Sequence, residues 1–331
     1  MIYLVLIKRF PVVVLTGFLS LFFHVWTYAS EVTVYGYLDM GYIKESGRDM
    51  RLGRGQNNWI GFRGKEDIGN GTCVTFNLQT RFEPATGAAE RASTFWQGET
   101  TVGFSNPAFG SFRFGRAMTP LWEEKWPFDP WYDSALMGSL ANYNGDFDSD
   151  GLDPHGDFSN YSRVGSATFY SSPVMAGFQV HVSIEGEMQE GANARSAGFS
   201  LNYNKGVLAA MLAVERNHLS DEIVYVAGSY VFGPWRALAS YSHTDFSAQS
   251  ALNRGMSVKR SMMLAGIYSR GMDKIRFGYG RIRESGDYKY TTGYNMGLSK
   301  RTNLYIDVYR EFLKSTNSHM NGIAVGMNHS F

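Results

Sequence analysis

Thr72-Cys73-Val74-Thr75-Phe76-Asn77-Leu78-Gln79-Thr80-Arg81-Phe82 is the stretch that decides the fold. Successive side chains of an extended chain point to opposite sides. Val74, Phe76, Leu78 and Phe82 therefore share one face, and Thr75, Asn77, Gln79 and Arg81 share the other. Apolar on one side and polar on the other is what a lipid-embedded strand facing a water-filled interior requires. Gly69-Asn70-Gly71 joins this run to an earlier one, Trp59 to Ile68, and a turn of that composition makes a hairpin.

Working outward, the same period of two recurs from Val32 to Phe331, while helical periodicity is hard to find. The runs before the long interruption are Val32–Tyr42, Trp59–Ile68, Thr72–Phe82, Phe95–Ser105 and Gly110–Met118. After it come Tyr161–Ser171, Gly177–Glu187, Ser196–Lys205, Val207–Arg216, Glu222–Phe232 and Trp235–Thr244. The last five are Val258–Ser269, Lys274–Ile282, Tyr288–Ser299, Thr302–Phe312 and Gly322–Phe331. Sixteen strands in about 300 residues is roughly 19 per strand with its turn, close to a membrane span of about 9–11 residues plus a connection. Turns alternate in length: Gly69–Gly71, Lys205-Gly206, Gly233-Pro234 and Lys300-Arg301 are short, whereas Gly47–Asn57, Pro84–Ser93, Glu187–Arg195 and Ser247–Met256 are long. Short inner turns and long outer loops have this arrangement in membrane barrels. The segment 119–160 fits no strand. It carries Trp122, Trp126, Trp131 and many acids, and is broken by Pro120, Pro127, Pro130 and Pro154.

The amino end reads as an export signal: basic Lys8-Arg9, an apolar run from Pro11 to Trp26, then Thr27-Tyr28-Ala29 as a cleavage site. Residues 1–29 are thus expected to be removed, leaving 30–331 as one barrel domain. Beyond that segment nothing approaches the roughly 20 apolar residues of a membrane helix, and mean hydropathy is −0.24. A barrel escapes hydropathy because only alternate residues enter lipid. Aromatic residues at 15%, with 37 Gly and 9 Pro, favour the barrel, since interface girdles use rings and a closed sheet tolerates few prolines. A formal charge of +1 gives no basic stripe for nucleic acid. Cys73, the single cysteine, can form no internal disulfide.

Several strings resemble the Gram-negative general porins, especially the trimeric sixteen-stranded type of β-proteobacteria. VTVYGYLDMGY (32–42) resembles the opening strand, and NNWIGFRGKEDIGNG (57–71) the second strand with its turn. GSFRFGRAMTP (110–120) resembles the strand entering the third loop, and SRVGSATFYSSPVMAGF (162–178) the strand after it. LSKRTNLY (298–305) and GMNHSF (326–331) are similar to a late hairpin and the carboxyl end. The resemblance implies an all-β, 16-stranded antiparallel transmembrane β-barrel in the outer membrane, with 119–160 a long third loop folded inward as the constriction. It implies a homotrimer in lipid and lipopolysaccharide, passing ions and small hydrophilic solutes passively, with no cofactor. It also implies that the barrel-assembly machinery reads the last strand, whose face Ile323, Val325, Met327, His329 ends on Phe331.

Porin constrictions set loop acids against wall bases. The expected wall bases are Arg63, Arg81, Arg116 and Arg163; the expected loop acids are Asp129 and Asp133. Trp59 and Gly98 stand where the resemblance places two further bases. The loop's acids outnumber Lys125, its only lysine or arginine, so weak cation preference is expected. Asp146, Asp148 and Asp150 with Gly151 and Asp157 have the spacing of a calcium loop. Asp at the twelfth place, Pro154 at the ninth and the lack of flanking helices make a plain acidic loop the simpler reading. His181, His218 and His243 lie on different strands and give no string of nucleophile, base and orienting group. The rivals are a substrate-specific porin using Trp122, Trp126 and Trp131, a barrel enzyme, and a soluble secreted β-sandwich.

Overall fold

Alternation closes here into a ring. The computed structural model describes residues 31–91, 94–131, 137–145, 162–188 and 191–331. The expected signal segment lies outside them, as do Asp133, Asp146, Asp148, Asp150 and Asp157. The strands are β1 (Glu31–Glu45), β2 (Arg51–Gly53), β3 (Asn58–Gly69), β4 (Thr72–Phe82), β5 (Glu99–Asn106), β6 (Gly110–Met118), β7 (Arg163–Ser171), β8 (Phe178–Glu185) and β9 (Ala197–Lys205). There follow β10 (Leu208–Arg216), β11 (Glu222–Phe232), β12 (Trp235–Asp245), β13 (Val258–Arg270), β14 (Asp273–Ile282), β15 (Tyr288–Gly297), β16 (Thr302–Leu313) and β17 (Ser318–Ser330). Both β2 and β3 pair with β1, so the 17 segments make a barrel of 16 staves, one of them broken at residues 54–57.

All pairings are antiparallel, and β1 meets β17 from Tyr37↔Ser330 to Glu45↔Gly322. Gly36 and Phe331 extend that seam by exchanging two backbone hydrogen bonds of 3.1 Å. Closure removes the free edges that an open sheet would present to lipid. The Gly69-Asn70-Gly71 turn has positive φ at all three residues, which explains its composition. Segment 247–256, expected as loop, contains the short helix α2 (Ala248–Arg254), capped by Ser247 and ended by Gly255 in the left-handed region.

The two faces differ as the sequence pattern requires. On β11, Val224 and Val226 are 46% and 42% exposed, while Tyr225 between them is 0% exposed. The apolar face carries aromatic clusters near the short turns: Phe104 with Phe112, Phe112 with Tyr170, Phe178 with Tyr203, and Trp235 with Tyr268. Rings belong at such interfaces because they are apolar with a polar edge or tip. On β4, Thr75, Asn77 and Gln79 face inward: Asn77 accepts from Tyr35 and Gln79 donates to it.

Most strand starts lie within two residues of the reading above, and two differ by four. β5 begins at Glu99 rather than Phe95, because Phe95 and Trp96 form a turn, packing edge-on to each other and Trp96 edge-on to Phe62. β17 begins at Ser318 rather than Gly322, because β16 runs on to Leu313 and pairs with it there.

Candidate functional site: the loop inside the barrel

The segment after β6 passes along the inner wall. Helix α1 (Pro120–Lys125) lies against β8, β9 and β10, and the single turns Trp126–Phe128 and Ala141–Tyr143 continue to β11, β12, β13 and β14. Leu121 and Phe128 pack on Met211, Ala213, Ile223 and Tyr225, and Trp131, Leu140 and Tyr143 on Leu238 and Met263. Glycines let the two surfaces meet. At Gly278 a Cβ would stand 2.6 Å from Leu140, and at Gly280 one would strike Tyr143.

Polar anchors complete the attachment. Arg276 and Asp307, both fully buried, pair at 3.2 Å; Trp131 Nε1 donates to Asp307 at 2.7 Å and Arg276 to Pro130 O at 3.3 Å. Lys289 Nζ donates to Met137 O and Ser139 O at 2.9 Å each, and Tyr143 to Glu311 at 2.6 Å. Buried ions persist only where such partners meet them. Asp129 is 4% exposed and accepts from Trp131 N, Ser139 Oγ and Leu140 N. Burial pushes its carboxyl up, those bonds pull it back, and its charge is spent inside the loop. Lys125 is buried too, with Nζ 2.7 Å from Gly145 O and over the Trp122 ring.

The opposite wall is open and charged. A recess of about 520 Å³ is bordered by Arg63, Lys65, Asn77, Glu99, Arg113 and Glu123. Arg113 bridges the wall and the loop, 3.1 Å from Glu99 and 2.6 Å from Glu123. Three of the four expected bases gather elsewhere, around Gln97 and Gly98. Arg116 Nε donates to Gln97 O at 3.4 Å, Arg163 Nε to Gly98 O at 2.7 Å, and Gln97 Nε2 to Arg81 O at 2.8 Å. Arg81 also pairs with Glu90 at 2.7 Å. Arg63 stands apart from them, over the Tyr35 ring. A loop fastened along one side of a closed barrel, facing a wet charged wall, is the geometry of a narrowed aqueous channel.

The profile of the Gram-negative porin family matches residues 26–316. The chain belongs to the Gram-negative porins. Among curated relatives, outer membrane porin protein 32 of Delftia acidovorans is 25% identical over 318 residues, covering 89% of this chain and 87% of its own. Among solved structures, an anion-selective porin from Comamonas acidovorans superposes with a TM-score of 0.75 at 22% identity, covering 91% of this chain and all of its own. OmpF of Salmonella typhi, solved with daunomycin, reaches 0.66 at 14% identity over 93% of this chain and 99% of its own. At those identities the structures show the fold. This porin is an outer-membrane barrel whose water-filled channel passes ions and small hydrophilic solutes by passive diffusion.

Alternation could have found Arg113, which shares a face of β6 with Ser111 and Gly115. The bulge at Gly115/Ala117 breaks that count for Arg116. The tryptophans of the porin's loop do not form a stacked track: Trp131 is fully buried and Trp122 is 8% exposed, covered by Lys125. Ser171 Oγ lies 2.9 Å from His181 Nδ1, and Glu124 Oε1 lies 3.5 Å from Nε2. That last contact exceeds a hydrogen bond, and Glu124 is engaged at 2.5 Å by Asn202. Asn202 of β9 therefore ties the loop root to the wall, while His181 is held by Ser171 and only approaches Glu124.

Proposed function

We propose that this porin is a non-specific diffusion pore with weak preference for cations, working as a homotrimer. The observation that carries the reading is the state of the wall at Trp59 and Gly98, where the family resemblance places two bases. Trp59 stacks on Tyr37 at 4.8 Å, and Gly98 has no side chain. Other bases inside the barrel are met by acids: Arg81 by Glu90, Arg113 by Glu99 and Glu123, Arg276 by Asp307. Against them stands the acidic excess of residues 119–160. Charges act at close quarters in a pore, so the wall bases Arg63, Arg81, Arg116 and Arg163 and the loop acid Asp133 would set the balance, with Asp129 shaping the loop. The reversal potential in a KCl gradient across a planar bilayer measures it. A cation-sided potential is expected, and a clear anion preference would overturn the assignment.

The same reading makes residues 1–29 a cleaved export signal and places the barrel in lipid and lipopolysaccharide. No enzymatic activity and no cofactor are assigned. Phe331 is proposed as the assembly signal; its ring lies over Gly36 and is 40% exposed, offering little packing and an accessible handle. Deleting it should lower outer-membrane levels in cells while leaving refolding in detergent intact. Normal cellular levels would remove that role.

A further inference from the structure

One buried carboxylate takes part in none of the ion pairs above. Glu215 lies on the inner face of β10, two residues beyond Ala213, and is 2% exposed. Neither oxygen has a close hydrogen-bond partner; the donors it faces are the Thr119 hydroxyl and the Leu121 N–H. Thr119 itself is 1% exposed. Across the sheet, Glu215 pairs with Gly198 of β9. A Cβ on Gly198 would stand 2.9 Å from Pro120 Cδ, 3.0 Å from Ser183 Oγ and 3.2 Å from Glu215 Oε2. The first residues of the loop thus rest on a glycine, with a carboxylate directed at them from beside it. Pro120 has no N–H, so Leu121 offers the first backbone donor of α1. An acid is retained in so buried a place only if donors or a cation meet it. The one cation near it, Lys125, has its ammonium committed to Gly145 O and the Trp122 ring.

We propose that Glu215 is a positioning residue for the constriction: with Gly198 it forms a seat on the wall that receives Thr119, Pro120 and Leu121 and fixes the depth at which the loop crosses the bore. Farther along, Lys289, Asp307 and Glu311 hold the loop by independent bonds. A loop freed at its root therefore pivots on those distal anchors and narrows the channel intermittently. The inference rests on the porin assignment but not on the sign of its selectivity, so an anion-preferring channel would leave it standing.

Planar-bilayer recording of the full-length refolded porin tests this. Losing the buried polar group that faces Thr119 and Leu121 shifts such an equilibrium by about tenfold, so Glu215→Ala should raise the frequency of brief partial closures by about that factor. Glu215→Gln keeps an acceptor oxygen and should fall between Glu215→Ala and the unaltered porin. Gly198→Ala should reproduce the closures with the carboxylate intact, because it lifts Pro120 from the wall. The control is Asp221→Asn, a fully buried acid that holds Asn217 and Ser250 away from the loop; it should conduct steadily. Steady currents in both Glu215→Gln and Gly198→Ala would overturn the proposal. So would closures of equal frequency in Asp221→Asn. Failure of Glu215→Gln to assemble while Asp221→Asn assembles would also overturn it, by making Glu215 a requirement of the barrel itself.

Discussion

The inner faces of β3–β5 and of β10–β14 carry the same alternation in sequence and meet different fates in space. On the first, Arg63, Lys65, Asn77 and Glu99 border open water. On the second, Met211, Tyr225, Leu238 and Met263 lie beneath the loop, and Arg276, paired with Asp307 of β16, is sealed from solvent. Neither strand geometry nor distance from lipid separates the two regions. What separates them is the loop, which turns one half of the lumen into the core of a soluble protein. An inward position in a barrel therefore predicts contact with water only where nothing lies on it.

The contrast is broken most forcefully at Trp131. Replacing a fully buried tryptophan by alanine costs about 3–5 kcal/mol, and Trp131→Ala should undock the loop, raising open-channel conductance and exposing the loop to protease. Unchanged conductance and protease resistance would put the covered half on the same footing as the open one. A smaller effect of another kind is expected at Lys65. Lys65→Glu lies on the wet wall, so stability should change by no more than about 0.5 kcal/mol, while the reversal potential moves towards cations. A large loss of stability in detergent melting would show that the wet wall is packed after all.

The smallest effect concerns pH. Burial, with Glu123 beside it, pushes the Glu124 carboxyl up to about 7 from its ordinary 4.5, against the pull of Arg113 and Asn202. A raised carboxyl means the docked loop holds the proton more tightly than the displaced one. Docking is therefore firmest in acid and weakens as pH rises from about 4.5 to about 7. Current noise should rise slightly over that interval, and Glu124→Gln should flatten the slope. A slope that persists in Glu124→Gln would assign it to a group other than Glu124.

The barrel was legible because period two runs through most of the ring: Val74 and Phe76 on one side, Thr75 and Asn77 on the other. The short turns were legible because positive φ calls for glycine and asparagine. The loop's side chains were harder. Asp129 reads as an acid available to the lumen, yet its carboxylate collects three donors within the loop, a local fold that charge alone does not reveal. Glu215 reads as an ordinary lumen residue of β10, since nothing in its own strand tells that Thr119 and Leu121 come to rest beside it. The bulge at Gly115/Ala117 leaves no mark in the apolar pattern, so the count that would single out Arg113 loses its footing at Arg116.

Every junction in the ring but one joins strands adjacent in sequence, and the exception is the pairing of β1 with β17. Most hairpins between neighbours close short loops at small entropic cost, and even β6 and β7 are separated only by the long loop, whereas this last pairing must bring together segments separated by nearly the whole chain. The barrel thus has one slow step built into its topology, and until it is taken both β1 and β17 offer unpaired backbone to any other strand. Concentration during refolding should decide between ring closure and joining of two chains at that seam.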